Sequence, residues 1–306
     1  IGVIYESRPN VTIDIASLCL KTGNSVILRG GKESFHTNLF LSKLIKNSLS
    51  SVGINKESVQ FIENTERSTI NDLLKMDRYI DLMIPRGGEQ LINLVSKEST
   101  MPSIVGGIGV THLYVDKSAD LKQSLEIAIN SKTQRPSVCN ALDTLLIHEK
   151  ISPKFTPLII SALTTKNVEI KCDNSTFSLI KKEFKNNSNI KKANKNDWGN
   201  EFLSLKISIK TVKSLEEAIN HIKKYGSGHT EAISTKDEIV KNTFLKEIDA
   251  SAVMSNASTR FNDGGEFGLG AEIAISTNKF HARGPMGLDS LTSYKWIVEG
   301  SGHIRT

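Results

Sequence analysis

One cysteine of this chain stands where a nucleophile could work. Cys139 falls in the polar loop Thr133-Gln134-Arg135-Pro136-Ser137-Val138-Cys139-Asn140, away from any apolar helical face. A thiol nucleophile needs an exposed loop, nearby donors and a lowered pKa, because only the thiolate attacks. The other two cysteines lack that setting. Cys19 follows Ile15 and Leu18 at helical spacing and reads as a small core residue. Cys172 follows a charged segment, expected to be exposed, and is given no role.

A second group of residues suits phosphate. Gly30-Gly31 and Gly87-Gly88 each fall at the end of a predicted strand, beside Arg29 and Arg86. Glycine lets the backbone approach a phosphate closely, and arginine supplies charge. Two such pairs suggest a phosphorylated cofactor, although any strand-to-helix turn can carry one, and no GxGxxG fingerprint is present. The seven histidines are scattered, with no CxxC or HExxH, so no metal is expected.

These residues need a scaffold, and the hydropathy pattern supplies one. Strand signals at Gly2–Tyr5, Ser25–Leu28, Val59–Ile62 and Leu82–Ile84 alternate with helical spacing at Val11–Lys21, Thr37–Leu49, Ile70–Lys75 and Glu89–Ser96. That alternation predicts parallel crossovers and a doubly wound α/β sheet, whose ligands bind at the carboxyl ends of the strands beside helix N-termini. Beyond it the pattern predicts strand Leu113–Val115, helix Leu121–Asn130, strand Thr144–Ile147, and then Leu203–Ile209, Leu215–Lys223, Thr230–Ile233, Asp237–Ile248 and Ser251–Met254. Residues 259–271 are glycine-rich, and 281–306 contain strand-like segments suited to an arm or an edge strand.

The bulk composition is that of an ordinary soluble globular protein. The chain has 306 residues, 38% hydrophobic and 24% charged, and a formal charge of +6. No apolar run approaches the roughly 20 residues of a membrane span, and no signal peptide precedes the first strand. Three cysteines in this length argue against a disulfide framework and for a reducing, cytoplasmic compartment. Six lysines against two acids between Lys181 and Asp197 could contact a polyanion or form a solvated lobe. The run lacks the repeated aromatic interleaving of base stacking, so neither nucleic acid nor membrane is an expected partner. The first residues, Ile1-Gly2-Val3-Ile4-Tyr5, are β-rich with no initiator Met, and the expectation is a chain cut inside a domain.

Seven blocks carry a resemblance. They are Glu6-Ser7-Arg8-Pro9-Asn10-Val11-Thr12, Leu28-Arg29-Gly30-Gly31-Lys32-Glu33, Ile84-Pro85-Arg86-Gly87-Gly88, Gly106-Gly107-Ile108-Gly109-Val110, Gln134-Arg135-Pro136-Ser137-Val138-Cys139-Asn140, Asn256-Ala257-Ser258-Thr259-Arg260-Phe261 and His281-Ala282-Arg283-Gly284-Pro285-Met286-Gly287-Leu288. Together they resemble the γ-glutamyl phosphate reductases, also called glutamate-5-semialdehyde dehydrogenases, within the aldehyde dehydrogenase superfamily. The resemblance runs from Ile1 to the C-terminus. It is weakest over 150–200, which is expected to be a variable surface lobe.

The resemblance implies an aldehyde-dehydrogenase-like α/β fold. Residues 1–111 would form an NADPH-binding domain incomplete at its N-terminus, 112–262 a catalytic domain, and 263–306 a return segment and oligomerisation arm. It implies NADPH-dependent reduction of L-glutamyl 5-phosphate to L-glutamate 5-semialdehyde in proline biosynthesis, through a thioester on Cys139. Asn10 and the Cys139 N–H would stabilise the oxyanion; from its own position Asn10 equally suits a helix N-cap before Val11. Cofactor contacts are expected from Arg29, Gly30, Gly31, Lys32, Arg86, Gly87, Gly88 and Glu201, with Arg29 placed for the 2′-phosphate.

Substrate contacts are expected from Arg8, Arg135, Arg260 and His281, although each arginine could instead sit in a structural ion pair and His281 could be a packed residue. Homo-oligomers and association with a glutamate 5-kinase are further implied. Hydrolytic relatives carry a Glu-Leu-Gly-Gly motif whose glutamate activates water. The matching stretch here, Ile104-Val105-Gly106-Gly107, has no acid. That disfavours the alternative of a nonphosphorylating NAD(P)-dependent semialdehyde dehydrogenase, and the intact Cys139 loop disfavours a noncatalytic nucleotide-binding domain.

Overall fold

A computed structural model describes residues 1–104, 106, 108–185 and 187–306. Val105 and Gly107, half of the stretch lacking an acid, lie outside the described residues, as does Asn186.

The first unit is a small parallel sheet. Strands β1 (Gly2–Tyr5), β2 (Val26–Gly30), β3 (Val59–Phe61) and β4 (Met83–Arg86) lie in the order β3-β2-β1-β4. Both faces are covered by helices α1 (Asn10–Lys21), α2 (Phe35–Ser51), α3 (Arg67–Leu73) and α4 (Glu89–Glu98). The two-residue period of a strand explains the double burial. Val3 and Tyr5 face Val11, Ile15, Leu18 and Cys19 of α1, whereas Ile4 faces Ile70 and Leu73 of α3 and Leu91 and Val95 of α4. Chain order places β2 and β3 on one side of β1 and β4 on the other, which opens a crevice at the carboxyl ends of β1 and β4.

The second unit is a parallel sheet of seven strands. It contains β5 (Thr111–Val115), β6 (Thr144–His148), β7 (Glu169–Cys172), β8 (Ile190–Lys192), β9 (Lys206–Val212), β10 (Thr230–Ser234) and β11 (Ala252–Ser255), in the order β11-β10-β5-β6-β9-β7-β8. Helices α5 (Leu121–Thr133) and α6 (Ser152–Thr165) cover one face, and α8 (Leu215–Tyr225) and α9 (Glu238–Glu247) cover the other. The helix starts are local: Asp120, Asp173, Ser214 and Asp237 each accept from backbone N–H groups of the first turn of α5, α7 (Asn174–Ile180), α8 and α9.

Two expectations are corrected here. Residues 150–200 are not a surface lobe. Phe155, Ile159, Ile160 and Leu163 of α6 are fully buried, and β7 and β8 extend the sheet beyond β9. Cys172 therefore lies in the core and not on an exposed segment. That placement of Cys172 is the second correction. Residues 281–306, expected to hold strand-like segments of an arm or an edge strand, contain one strand, β13 (Gly284–Pro285), paired antiparallel with β12 (Ile275–Ser276). Ile273, Ala274, Met286 and Leu291 return to the core of the small sheet, while Tyr294, Trp296, Ile297 and Val298 are exposed. An extended arm becomes a strand only when another edge supplies its hydrogen bonds.

Among the described residues no helix is long and apolar enough to cross a membrane, and no group of His, Cys, Asp or Glu is arranged to hold a metal ion.

Candidate active site between the two sheets

The carboxyl edge of the small sheet is tied together by carboxylates. Where β1 ends, the Glu6 N–H donates to the Arg86 carbonyl at 3.0 Å, and the Glu6 side chain accepts from the Gly88 N–H at 2.9 Å. Ser7 adopts a φ of 37°, held there by its N–H and hydroxyl, both donated to Glu33 Oε1 at 2.7 and 2.8 Å. A Cβ on Gly87 would collide with the Glu6 carboxylate and one on Gly31 with that of Glu33. The glycines thus admit acidic side chains of the protein itself, a use the sequence reading missed. The Gly88 N–H, expected to face a phosphate, is already satisfied by Glu6.

Arg29, expected to meet a 2′-phosphate, also has a partner within the protein. It is buried, and its Nη2 donates to the Thr65 carbonyl at 2.7 Å, so it braces the loop before α3. The backbone carbonyls beyond β3 draw its guanidinium inward in the unliganded protein. Lys32 is exposed and makes no ion pair among the described residues. Arg86, at the end of β4, shares one feature with Arg29: the Nε of each is buried without a hydrogen-bond partner among the described residues.

Cys139 belongs to the amino edge of the large sheet, in the loop that joins α5 to β6, and is half-buried. Its carbonyl accepts from Thr111 Oγ1 at 3.2 Å, and its peptide packs so closely on Gly109 that a Cβ there would overlap it. The next residue, Asn140, is 3% exposed and bonded on every side. Its Nδ2 donates to the Asn262 carbonyl at 3.0 Å, its own carbonyl accepts from Thr259 Oγ1 at 2.7 Å, and its Oδ1 accepts from Arg260. Arg260 Nε also donates to Gln134 Oε1 at 2.8 Å. Arg260 therefore clamps both ends of the nucleophile loop, a structural role that involves no ion pair among the described residues.

Beneath the loop lies a buried ion pair. Lys132 Nζ is 3.8 Å from Asp143 Oδ1, with both side chains essentially sealed from water. The Asp143 carboxylate also accepts from the Thr111 and Phe202 N–H groups at 3.3 and 3.1 Å. Burial pushes the Asp143 carboxyl up to about 7 and the Lys132 ammonium down to about 8. The sequence reading missed both residues, although Ser124, Ala128, Ser131 and Lys132 share the buried side of α5.

Five charged or nucleophilic groups converge above the loop. Burial pushes the Cys139 thiol up to about 11; Glu201 and Glu272 add to the rise and Arg86 opposes it. Arg86 lies within electrostatic reach of Arg8, Cys139 and Glu272. Glu201 accepts from the Gly109 N–H at 3.1 Å, and burial raises its carboxyl. The rise favours the neutral thiol in the unliganded protein, where the lowered pKa of a nucleophile was expected. Burial is the main cause, and the two acids beside the thiol add more than the one arginine removes.

The remaining expected site residues lie at or beyond the rim. Asn10 is the first residue of α1, preceded by Pro9 as the cap, and its Nδ2 donates to Asp14 Oδ2 at 2.8 Å. It is neither an N-cap nor hydrogen-bonded to Cys139. Arg135 is exposed beside Arg260. His281, with a φ of 70°, is held by the Ser290 carbonyl at 3.0 Å, within the return segment. Neighbouring Arg283 pairs with Asp249.

Comparison with known proteins gives this arrangement a context. Residues 10–196 match the aldehyde dehydrogenase family. The whole chain is 55% identical over 305 residues to a γ-glutamyl phosphate reductase of Dehalococcoides mccartyi, spanning 72% of that protein. It is 51% identical over 308 residues to one of Clostridium tetani. The crystal structure of γ-glutamyl phosphate reductase from Thermotoga maritima superposes with a TM-score of 0.95 at 46% identity, over all of this chain and 72% of that one. An acetylating aldehyde dehydrogenase from Geobacillus thermoglucosidasius shares the fold at a TM-score of 0.77 and 17% identity.

Proposed function

The chain belongs to the aldehyde dehydrogenase family, and within it to the γ-glutamyl phosphate reductases; from that premise we propose that it reduces L-glutamyl 5-phosphate to L-glutamate 5-semialdehyde with NADPH, releasing phosphate, as a step of proline biosynthesis. The observation that carries this reading is Cys139, held by a buried network at one sheet's amino edge and facing the carboxyl edge of the other.

The site fits a dinucleotide in one specific respect. The unpartnered Nε of Arg86 lies at the crevice where a doubly wound sheet takes its ligand. Arg86, Gly30, Gly31 and Lys32 would hold its phosphates, Gly87 and Gly88 would line the crevice, and the Glu201 carboxylate suits a ribose hydroxyl. When bound, the nicotinamide supplies hydride to the acyl carbon. The family uses nicotinamide cofactors, and the preference for NADPH is our inference from the cations of this edge.

The protein's own residues carry the rest. The Cys139 thiol gives up its proton and its sulfur attacks the acyl carbon; the C–O bond to phosphate breaks, and phosphate leaves with its electron pair and takes up that proton. Phosphate is already a good leaving group, so acylation asks mainly for a thiolate and donors to the oxyanion. The Cys139 N–H and Asn10 are assigned to those donors, which requires Asn10 to release Asp14. Arg8, Arg135 and the unengaged edge of Arg260 would meet the substrate's anionic ends, whereas His281 holds the return segment. With no acid among residues 104–107, no base from that stretch opposes the thioester.

We further propose the division at 1–111, 112–262 and 263–306, with the exposed Tyr294–Val298 run as the oligomerisation arm of a homo-oligomer. Three unpaired cysteines support a cytoplasmic setting. Association with a glutamate 5-kinase rests on the resemblance alone.

The test runs the reaction in reverse on desalted full-length protein. Semialdehyde and NADP+ should yield NADPH beyond one equivalent per site only when phosphate or arsenate is added. Fast phosphate-independent turnover releasing free glutamate would replace this reading with the nonphosphorylating dehydrogenase.

A further inference from the structure

One acid in the cleft is left without work by the chemistry above. Glu272 follows the glycine-rich turn, and its Oε2 accepts from the Gly264 N–H at 2.9 Å. The residues after it are fixed: the Ile273 N–H donates to the Met286 carbonyl at 2.9 Å, and Ile273 and Ala274 are buried in the small sheet's core. The carboxylate is therefore carried on rigid backbone, with Oε1 making no hydrogen bond among the described residues. It makes no ion pair within 4 Å among them either, although Arg86 lies within electrostatic reach.

Such a placement works against the nucleophile. Glu272 is one of the two acids that oppose thiolate formation at Cys139. Burial raises the Glu272 carboxyl, with Gly264 and Arg86 only partly offsetting it, and acyl transfer to a thiol has no use for a negative charge at that position. A cation delivered by the substrate removes the conflict. The substrate proposed above carries two anionic groups and one ammonium. Arg8, Arg135 and Arg260 match the anions, Arg86 and Glu201 are assigned to the cofactor, and Glu272 remains for the cation.

We propose that Glu272 is a specificity-determining residue that receives the α-ammonium of the amino-acid substrate. This rests on the functional reading above and deepens it. Oε1 accepts from the ammonium while Oε2 stays on Gly264, and occupancy places a positive charge between Glu272 and the thiol. Substrates lacking the amino group leave the carboxylate unpaired, the situation in which a site built for a polar partner discriminates strongly.

The experiment compares glutamate 5-semialdehyde with 5-oxopentanoate, its analogue without the amino group, in phosphate-dependent NADP+ reduction. The wild-type protein should prefer the amino substrate in kcat/KM by ~10–100-fold, the range of a hydrogen bond to a charged group. Glu272→Gln keeps an acceptor for Gly264 and removes the charge, and should collapse that ratio towards unity. A wild-type protein that treats the two aldehydes alike, or a variant whose ratio is unchanged, overturns the proposal. The wild-type comparison stands even if the variant fails to fold. Absence of phosphate-dependent turnover with either aldehyde would instead refute the functional reading.

Discussion

The carboxyl edge of the small sheet and the amino edge of the large one face the same cleft and are held by different means. At the first, the loops are clasped by exposed carboxylates: Glu33 on Ser7 and Glu6 on Gly88. At the second, the nucleophile loop is locked by buried Asn140, Thr259 and the Lys132–Asp143 pair together with half-buried Arg260. Exposed clasps are weak and can yield to an arriving anion. Buried polar networks are unforgiving, because removing one member strands the others. The edge that must admit and release a cofactor is loosely held, and the edge that must aim one sulfur is rigid.

Breaking the buried side should have the largest effect. Asp143→Ala leaves the Lys132 ammonium enclosed without an anion and orphans the Thr111 and Phe202 N–H groups. Such a loss typically destabilises by about 3–5 kcal/mol, read as a drop in the urea midpoint. Glu33→Gln on the exposed edge should change stability by less than about 1 kcal/mol. Equal shifts for the two variants would erase the contrast.

A smaller effect probes aim rather than stability. In Gly109→Ala the new Cβ overlaps the Cys139 peptide, so the loop must move. Displacement of a reacting group by about 1 Å can lower kcat on the order of 10²-fold. Cofactor affinity, measured by fluorescence titration, should change far less. A variant with normal kcat would show that the loop tolerates the shift.

The smallest effect concerns charge. In the unliganded protein, iodoacetamide should modify Cys139 slowly at neutral pH, with a rate that climbs towards a midpoint near 11. The sign follows from the acids: each favours the neutral thiol, so Glu201→Gln should move the midpoint down. A midpoint already below 8 in the wild type would mean that neither burial nor the two glutamates govern the thiol.

Much of this arrangement was legible in the residues. Strand–helix alternation over the first hundred positions implied the parallel sheet and its crevice, and the polar loop singled out Cys139. What stayed hidden has physical reasons. A lysine in the last turn of a helix normally reaches water, so Lys132 gave no sign of its partner eleven residues on. Arg29 ends its strand beside a glycine pair, as a phosphate ligand would, and only the fold brings the Thr65 carbonyl to it. Glu6 and Glu33 sit inside the matched blocks, but that glycines accommodate their carboxylates depends on loops brought together across the sheet. The helices and strands of 150–200 are regular core elements that fall inside the matched 10–196 span; they were set apart only because none of the seven recognised blocks lies in them.

Cys139 is proposed to carry the acyl group between the two edges, and the acylated sulfur can be observed directly. Full-length protein is incubated with semialdehyde and NADP+ in the absence of phosphate, quenched in acid and analysed by peptide mass spectrometry. The account predicts a glutamyl adduct on the peptide containing Cys139, absent in Cys139→Ser and discharged when phosphate is added before the quench. An adduct that never forms while NADPH accumulates, or one on Cys19 or Cys172, would contradict it.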